Sequence, residues 1–231
     1  MPEYVNVTID GAKIRANKGT SVIDVALEYG ICIPNLCHMK DLNPIGACRL
    51  CIVELVEGGR SKVTTSCTLE AKEGMVIFSH SPKIVETRKL IAEMLVAEAP
   101  NSRAIQDVAV RCGVTKVRFP FRNKNCVMCG RCVRACTEIW RSQSLGFVGR
   151  GKKRHVALPF HERPDFCKRC WYCVDICPML ITPCDGPMEP GNEYLCNKCE
   201  SQLTMALESP DTCIQCRLGK GFGCPRGVTQ E

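Results

Sequence analysis

No apolar run in the sequence is long enough to cross a bilayer, so any membrane contact would have to pass through another subunit. An apolar signal segment is also lacking behind Met1, where charged and polar residues alternate with valines. Twenty cysteines would suggest the disulfide framework of a secreted protein, but without such a segment they imply a reducing, cytoplasmic setting. Nothing in the chain resembles a flavin, nicotinamide or molybdopterin site, or an activated nucleophile, so a complete enzyme is not expected. The stretch Gly219-Lys-Gly221-Phe-Gly223 is rich in glycine but follows no strand, which excludes a dinucleotide fingerprint. The basic residues 118–141 and 150–155 are expected to offset local negative charge or dock an acidic partner rather than bind nucleic acid. His38, His80, His155 and His161 stand apart from one another and are expected at the surface rather than as ligands.

Against these absences stands one ordered abundance. Residues 126–177 contain Cys126-x2-Cys129-x2-Cys132-x3-Cys136 and then Cys167-x2-Cys170-x2-Cys173-x3-Cys177-Pro178. A run with this spacing brings three thiolates onto one loop and sends the fourth to a neighbouring site, which is how two 4Fe-4S cubanes share ligands. Cys126, Cys129, Cys132 and Cys177 are therefore assigned to one cluster, and Cys167, Cys170, Cys173 and Cys136 to the other. Zinc knuckles or a disulfide framework do not explain eight cysteines repeated at identical spacing. The residues between Cys136 and Cys167 are expected to form an inserted hairpin or loop.

At 231 residues the chain has room for two or three small domains, none with a large apolar core. Metal ligation can substitute for missing core, because binding free energy becomes folding free energy. Residues 4–10 alternate Val5, Val7 and Ile9 with polar side chains, and Asp10-Gly11 turns the chain into residues 13–16, a hairpin with one buried face. Thr20 or Ser21 can cap a helix through Tyr29, with Val22, Ile23, Ala26 and Leu27 inward and Gly30 as its stop. Strand signals return at residues 52–56, 61–65 and 75–78, which completes a small mixed sheet of the beta-grasp kind.

Into this sheet falls Cys37-x10-Cys48-x2-Cys51-x15-Cys67. Three ligands from one long loop and a fourth from a later turn are the general arrangement of a plant-type 2Fe-2S site, although plant-type ferredoxins have four residues after the first ligand. A structural zinc held by these four thiols is the competing reading, disfavoured by the wide first spacing. Gly46 and Ala47 are small, as they must be if backbone N–H groups are to approach sulfur. Cys32 lies outside the set and is expected to be a buried apolar thiol.

The residues Asn35-Leu36-Cys37-His38, Gly46-Ala47-Cys48-Arg49-Leu50-Cys51 and Thr65-Ser66-Cys67 resemble the N-terminal ferredoxin domain of the large iron-sulfur subunit of respiratory complex I. The same domain occurs in the diaphorase subunits of NAD-linked hydrogenases and in related bifurcating enzymes. The resemblance continues through Thr87-Arg88-Lys89-Leu90, which opens an amphipathic helix, and covers roughly the first half of the chain. Most members of that family follow this helix with a His and three Cys for a further cluster. Residues 99–114 here hold only Cys112 and no histidine, so that cluster cannot form from this chain. Asn101 or Ser102 is expected to cap a short helix ending at Gly113 instead.

The tail adds Cys184, Cys196-x2-Cys199, Cys213-x2-Cys216 and Cys224-Pro225. Four of Cys196, Cys199, Cys213, Cys216 and Cys224 could hold a tetrahedral zinc, which the symmetric knuckles favour. The same group resembles the late cysteines of iron-sulfur subunits in molybdenum and tungsten oxidoreductases, and Pro225 favours that further 4Fe-4S site.

The expected class is α+β. Its parts are a beta-grasp 2Fe-2S domain (1–79), a helical linker (80–115), a bacterial-type domain for two 4Fe-4S clusters (116–183) and a small Cys-rich metal-binding tail (184–231). The formal charge of +7 falls to about +1 once three oxidised clusters of about −2 each are counted, so the basic excess is largely local compensation. Thiolate-held clusters do one-electron transfer, and several along one chain make a wire. The resemblance implies a relay subunit of a cytosolic oxidoreductase complex. Its partners would be a flavoprotein resembling the NADH-oxidising subunit of complex I and a second catalytic subunit such as a hydrogenase or formate dehydrogenase. A free-standing polyferredoxin shuttle, and more remotely an iron-sulfur or zinc protein that binds nucleic acid, are the alternatives.

Overall fold

The structure is a computed structural model. It describes residues 3–179 apart from 123, 125, 159, 161–163, 165, 166 and 171. The alternating valines form strand β1 (Tyr4–Ile9), which pairs antiparallel with β2 (Ala12–Asn17) in the register Val5–Ala16, Val7–Ile14 and Ile9–Ala12. Asp10 and Gly11 take positive φ (49° and 85°), the twist that a two-residue hairpin turn requires. The Asp10 carboxylate accepts hydrogen bonds from the Ser79 backbone N–H (2.7 Å) and the Ser79 hydroxyl, which fastens this turn to the chain just beyond the strand that pairs parallel with β1.

Helix α1 (Val22–Glu28) starts at Ser21, whose hydroxyl oxygen accepts from the Asp24 N–H, and stops where Ile31 N–H returns to the Ala26 carbonyl at 2.8 Å. Its buried face is Val22, Ile23, Val25 and Ala26, whereas Leu27, expected inward, is 71% exposed. At about 100° per residue, a stripe centred between Val22 and Ala26 carries position 27 past the edge of the core. Strands β3 (Ile52–Glu57), β4 (Arg60–Thr65) and β5 (Met75–Phe78) complete a five-stranded sheet ordered β2-β1-β5-β3-β4. Strand β5 runs parallel to β1 and antiparallel to β3. Val7, Ile9, Val22, Val25, Val53 and Ile77 are almost wholly buried, each contributing about 1.5–3 kcal/mol of apolar transfer free energy. The class is α+β, as the sequence implies.

Helix α2 (Pro82–Glu98) has proline at its first position, where a missing N–H costs nothing. Its N-terminal Ser81 donates to Glu54 Oε2 at 2.6 Å instead of capping the helix. Helix α3 (Arg103–Arg111) follows Ser102, ends at Cys112 and is closed by Gly113 at φ 70°. These helices enclose a second core of Leu36, Leu50, Ala92, Val96, Ile105 and Val108. Two charged side chains lie inside the packed face of α2. Arg88, 3% exposed, donates to the carbonyls of Leu50 (2.9 Å), Ile52 (2.8 Å) and Ser79 (2.9 Å). Glu93, also 3% exposed, accepts from the Arg118 backbone N–H (2.5 Å) and its guanidinium (2.8 Å), drawing the following segment back across the helix.

Beyond that segment the regular elements are short. Helix α4 (Arg131–Arg134) continues into a π turn, Ala135–Ile139. Strands β6 (Gly146–Val148) and β7 (His155–Ala157) make the hairpin expected between Cys136 and Cys167, and helices α5 (Cys167–Cys170) and α6 (Tyr172–Asp175) follow. The basic run 150–155 forms the hairpin tip, with Arg150, Lys152, Lys153 and Arg154 exposed and the Arg154 guanidinium 4.2 Å above the Phe147 ring. Among the described residues no helix is long and apolar enough to cross a membrane.

Candidate metal centres

The first centre is built where the sheet ends. A loop between α1 and β3 carries Cys37, Cys48 and Cys51, and a 3-10 turn at the end of β4 (Ser66–Thr68) carries Cys67. Gly46 takes φ 60°, and a Cβ there would stand 3.3 Å from Thr65 Oγ1, so the loop passes close to β4 only because the residue is glycine. The Ser66 N–H (2.9 Å) and hydroxyl (2.8 Å) both donate to the Cys51 carbonyl, which locks the turn that bears Cys67 against the loop.

All four thiols are buried, none more than 7% exposed. They associate two by two. Cys51 Sγ and Cys67 Sγ are 3.3 Å apart, well beyond a disulfide bond of about 2.05 Å. Cys37 and Cys48 hydrogen-bond through their side chains, and the Cys48 N–H approaches Cys37 Sγ at 3.5 Å. The Cys48 thiol lowers Cys37 to about 5, helped by the N–H groups of Cys48 and Ala47 and by Arg134, against the effect of burial. The Cys67 thiol likewise lowers Cys51 to about 6. Cys48 and Cys67 are driven the other way, because each gives its proton to the partner sulfur in a buried site. Burial and the neighbouring sulfurs oppose charge on all four thiols at once, an opposition that a positively charged group among them would relieve. Among the described residues no three His, Cys, Asp or Glu side chains converge on a single ion position. Two separate thiol pairs suit a group with two metal atoms better than one tetrahedral zinc.

The second set begins at a loop that bends through Met128 (φ 54°) and Gly130 (φ 72°) into α4 and carries Cys126, Cys129 and Cys132, close enough for the charges of Cys126 and Cys129 to act on Cys132. The Met128 N–H donates to Cys126 Sγ at 3.4 Å, and the Arg131 N–H donates to the Cys129 sulfur. Burial raises all three thiols, Cys129 to about 11, and the charge of Cys177 acts on each of them. Cys177 follows α6, and Cys173, on that helix, also acts on Cys132. Cys136, in the π turn, shares an apolar cluster with Cys173, Leu145, Val156 and Leu158, and its sulfur lies 2.9 Å from the Ser142 hydroxyl. Cys167 and Cys170 lie on α5 and are half-buried. The tail cysteines Cys184, Cys196, Cys199, Cys213, Cys216 and Cys224, and His161, lie outside the described residues.

Two sequence expectations change here. Cys32 is exposed rather than buried, because it follows the helix stop at Gly30 on the outer side of the loop. The His38 side chain is only 10% exposed and its Nε2 sits 2.8 Å from Asp24 Oδ1, so it is an inner residue of the first loop. Sequence reasoning also missed which arginines enter the interior. Arg131 Nη2 donates to the His38 carbonyl (3.0 Å), and Arg134 donates to the carbonyls of Asn43 (2.7 Å) and Cys37 (2.5 Å). Their interleaving with Cys129 and Cys132 was the available signal, since a cation beside each buried thiolate is an electrostatic requirement. Cys129 itself packs in the same core as Cys37 and Cys48, so the two ligand loops adjoin directly.

Residues 3–82 match the 2Fe-2S iron-sulfur cluster binding domain family, and residues 120–178 match the 4Fe-4S dicluster domain family. The chain is 32% identical over 202 residues to the G 2 subunit of the NADH-quinone oxidoreductase of Rhizobium meliloti (strain 1021), covering 76% of this chain and 23% of that protein. It is 29% identical over 167 residues to the gamma subunit of the NAD-reducing hydrogenase HoxS of Cupriavidus necator, covering 62% of this chain and 68% of the relative. A solved NAD+-reducing [NiFe]-hydrogenase in the H2-reduced state superposes with a TM-score of 0.60 at 28% identity, covering 67% of this chain and 74% of that one. The chain spans about a quarter of the length of the first of these relatives, and 23% to 28% of further curated relatives that it matches. The resemblance read from Cys37 to Cys67 is borne out by these matches.

Proposed function

From a chain that joins a 2Fe-2S iron-sulfur cluster binding domain (3–82) to a 4Fe-4S dicluster domain (120–178), we infer an electron-relay subunit of a multisubunit oxidoreductase. The observation that carries this reading is the first centre: four thiols buried in two pairs at the end of a sheet, sharing one core with Cys129 of the next run. Cys37 with Cys48, and Cys51 with Cys67, would each hold one iron of a 2Fe-2S cluster. Cys126, Cys129, Cys132 and Cys177 would hold one cubane, and Cys136, Cys167, Cys170 and Cys173 a second. Four of the tail cysteines Cys196, Cys199, Cys213, Cys216 and Cys224 would hold one further site, 4Fe-4S or zinc.

Bound in these positions, the clusters would supply one-electron transfer without rearrangement of the protein. The chain's own residues do the rest. Backbone N–H groups of Ala47, Cys48 and Arg131 stabilise anionic sulfur, and Leu36, Leu50 and Ile105 keep water from the first loop. The partners we propose are a flavoprotein like the NADH-oxidising subunit of complex I at the 2Fe-2S end, and a second catalytic subunit beyond the cubanes.

The test is electron paramagnetic resonance on the dithionite-reduced chain, with purification from the native host. Separate 2Fe-2S and interacting 4Fe-4S signals are expected, together with a copurifying flavoprotein. Cys48→Ser should abolish the first signal and leave the others. A colourless protein containing only zinc would overturn the reading.

A further inference from the structure

Between the two ligand loops lies a seam with an unusual content of positive charge. Arg134 is 6% exposed, yet it sits between Cys132 and Cys136 on an element whose neighbours are apolar. Its guanidinium reaches out of its own run and bonds the carbonyl of Cys37, a residue of the other loop, as well as that of Asn43. Arg131 bonds the next carbonyl, that of His38, and lies within electrostatic reach of Cys129 on one side and of Cys37 and Cys48 on the other. The buried side-chain nitrogens left without a hydrogen-bond partner among the described residues are Arg131 Nε, Arg134 Nε and His38 Nδ1, and all three lie on this seam. Arg131 Nε and Arg134 Nε are buried donors without acceptors, and two of them on one seam point to an anionic group on which they act.

Resting on the functional reading above, we propose that Arg131 and Arg134 form a buried cationic clamp between the first two centres, holding their loops together and raising the reduction potentials of both. Each arginine keeps its charge at any working pH, and its fixed positive charge stabilises the form of a centre that has accepted an electron. In a seam shielded from water the effect is larger than at a surface. Arg134 addresses mainly the first centre through Cys37. Arg131 faces ligands of both centres and should influence both.

The test is a redox titration of the full chain, followed by electron paramagnetic resonance, on Arg134→Gln, Arg131→Gln and the corresponding lysine variants. Arg134→Gln should shift the oxidised-to-reduced ratio of the 2Fe-2S centre at fixed potential about tenfold toward oxidised, equivalent to about 59 mV for one electron. Arg131→Gln should shift both centres in the same direction. The lysine variants, which keep the charge and lose the planar fork, should titrate closer to wild type. Glutamine variants with full iron content and wild-type potentials would overturn the proposal, as would lysine and glutamine variants shifted equally, since that is the behaviour of a mechanical tether. If Arg134→Gln does not fold, Arg131→Gln decides, because Arg131 holds a single carbonyl. A wild-type chain without a 2Fe-2S signal would instead overturn the functional reading beneath it.

Discussion

The two halves of the molecule hold their cysteines by different means. Around the first centre a five-stranded sheet, α1 and α2 supply two apolar cores, and Cys37, Cys51 and Cys67 are no more than 1% exposed within them. Around Cys136, Cys167, Cys170 and Cys173 the helical elements among the described residues have four or five residues each, the hairpin strands have three, and the thiols are half-buried. One half has a site because it has a fold. The other, among its described residues, buries smaller apolar clusters, and is expected to draw folding free energy from what its ligands bind.

The sharpest way to break this contrast is to remove the iron. Chelation under reducing conditions should leave the amides of β1, β3 and β5 protected from hydrogen exchange while those of α4, α6 and the β6–β7 hairpin lose nearly all protection. Mass-spectrometric hydrogen exchange before and after chelation reads this directly. Uniform loss of protection across both halves would show that the sheet, too, folds only around its cofactor.

A smaller effect sharpens the same point from within the sheet half. Arg88→Met removes the donor to three buried carbonyls, those of Leu50, Ile52 and Ser79, where the loop of the first centre enters β3. Leaving these acceptors without partners should cost about 3 kcal/mol, seen as a lowered denaturation midpoint. The 2Fe-2S signal should weaken with it, while the dicluster signals persist. A loss confined to the dicluster half would reverse the order of dependence proposed here.

Arg88 also marks where reading the sequence reaches its limit. The hairpin, α1, the three later strands and the cysteine spacings were legible because each obeys a local rule. Alternation sets a buried face, Asp-Gly sets a turn, and a loop that must bend around a compact group needs its ligands a few residues apart. The three carbonyls that hold Arg88 come from 9, 36 and 38 residues away, so no pattern within α2 marks that position as buried. The same applies to Glu93, whose partner Arg118 lies 25 residues downstream, and to Arg134, whose acceptors lie 91 and 97 residues upstream. Leu27 failed for a simpler reason: a seven-residue helix has one narrow buried stripe, and an apolar side chain at its margin stays in water. An exposed Leu is ordinary; a buried Arg has to be satisfied, and what satisfies it is tertiary.

Gly130 joins the two halves and gives the finest test of how tightly they depend on each other. It opens α4 at φ 72°, and a Cβ there would stand 3.1 Å from Ile45 Cδ1 of the first loop and 3.1 Å from Phe147 Cζ of the hairpin. Alanine in this backbone conformation costs about 1–2 kcal/mol, while the two contacts are ends of side chains that can move a few tenths of an ångström. Gly130→Ala should therefore destabilise the protein by about that amount, measured by thermal denaturation, with both kinds of cluster signal retained. If the seam instead behaves as a rigid joint, Ile45 will push back on the loop bearing Cys48, and the 2Fe-2S line shape will change together with that of the cubanes. In that case the sheet half does not impose its geometry on its neighbour; the two ligand loops set each other's positions.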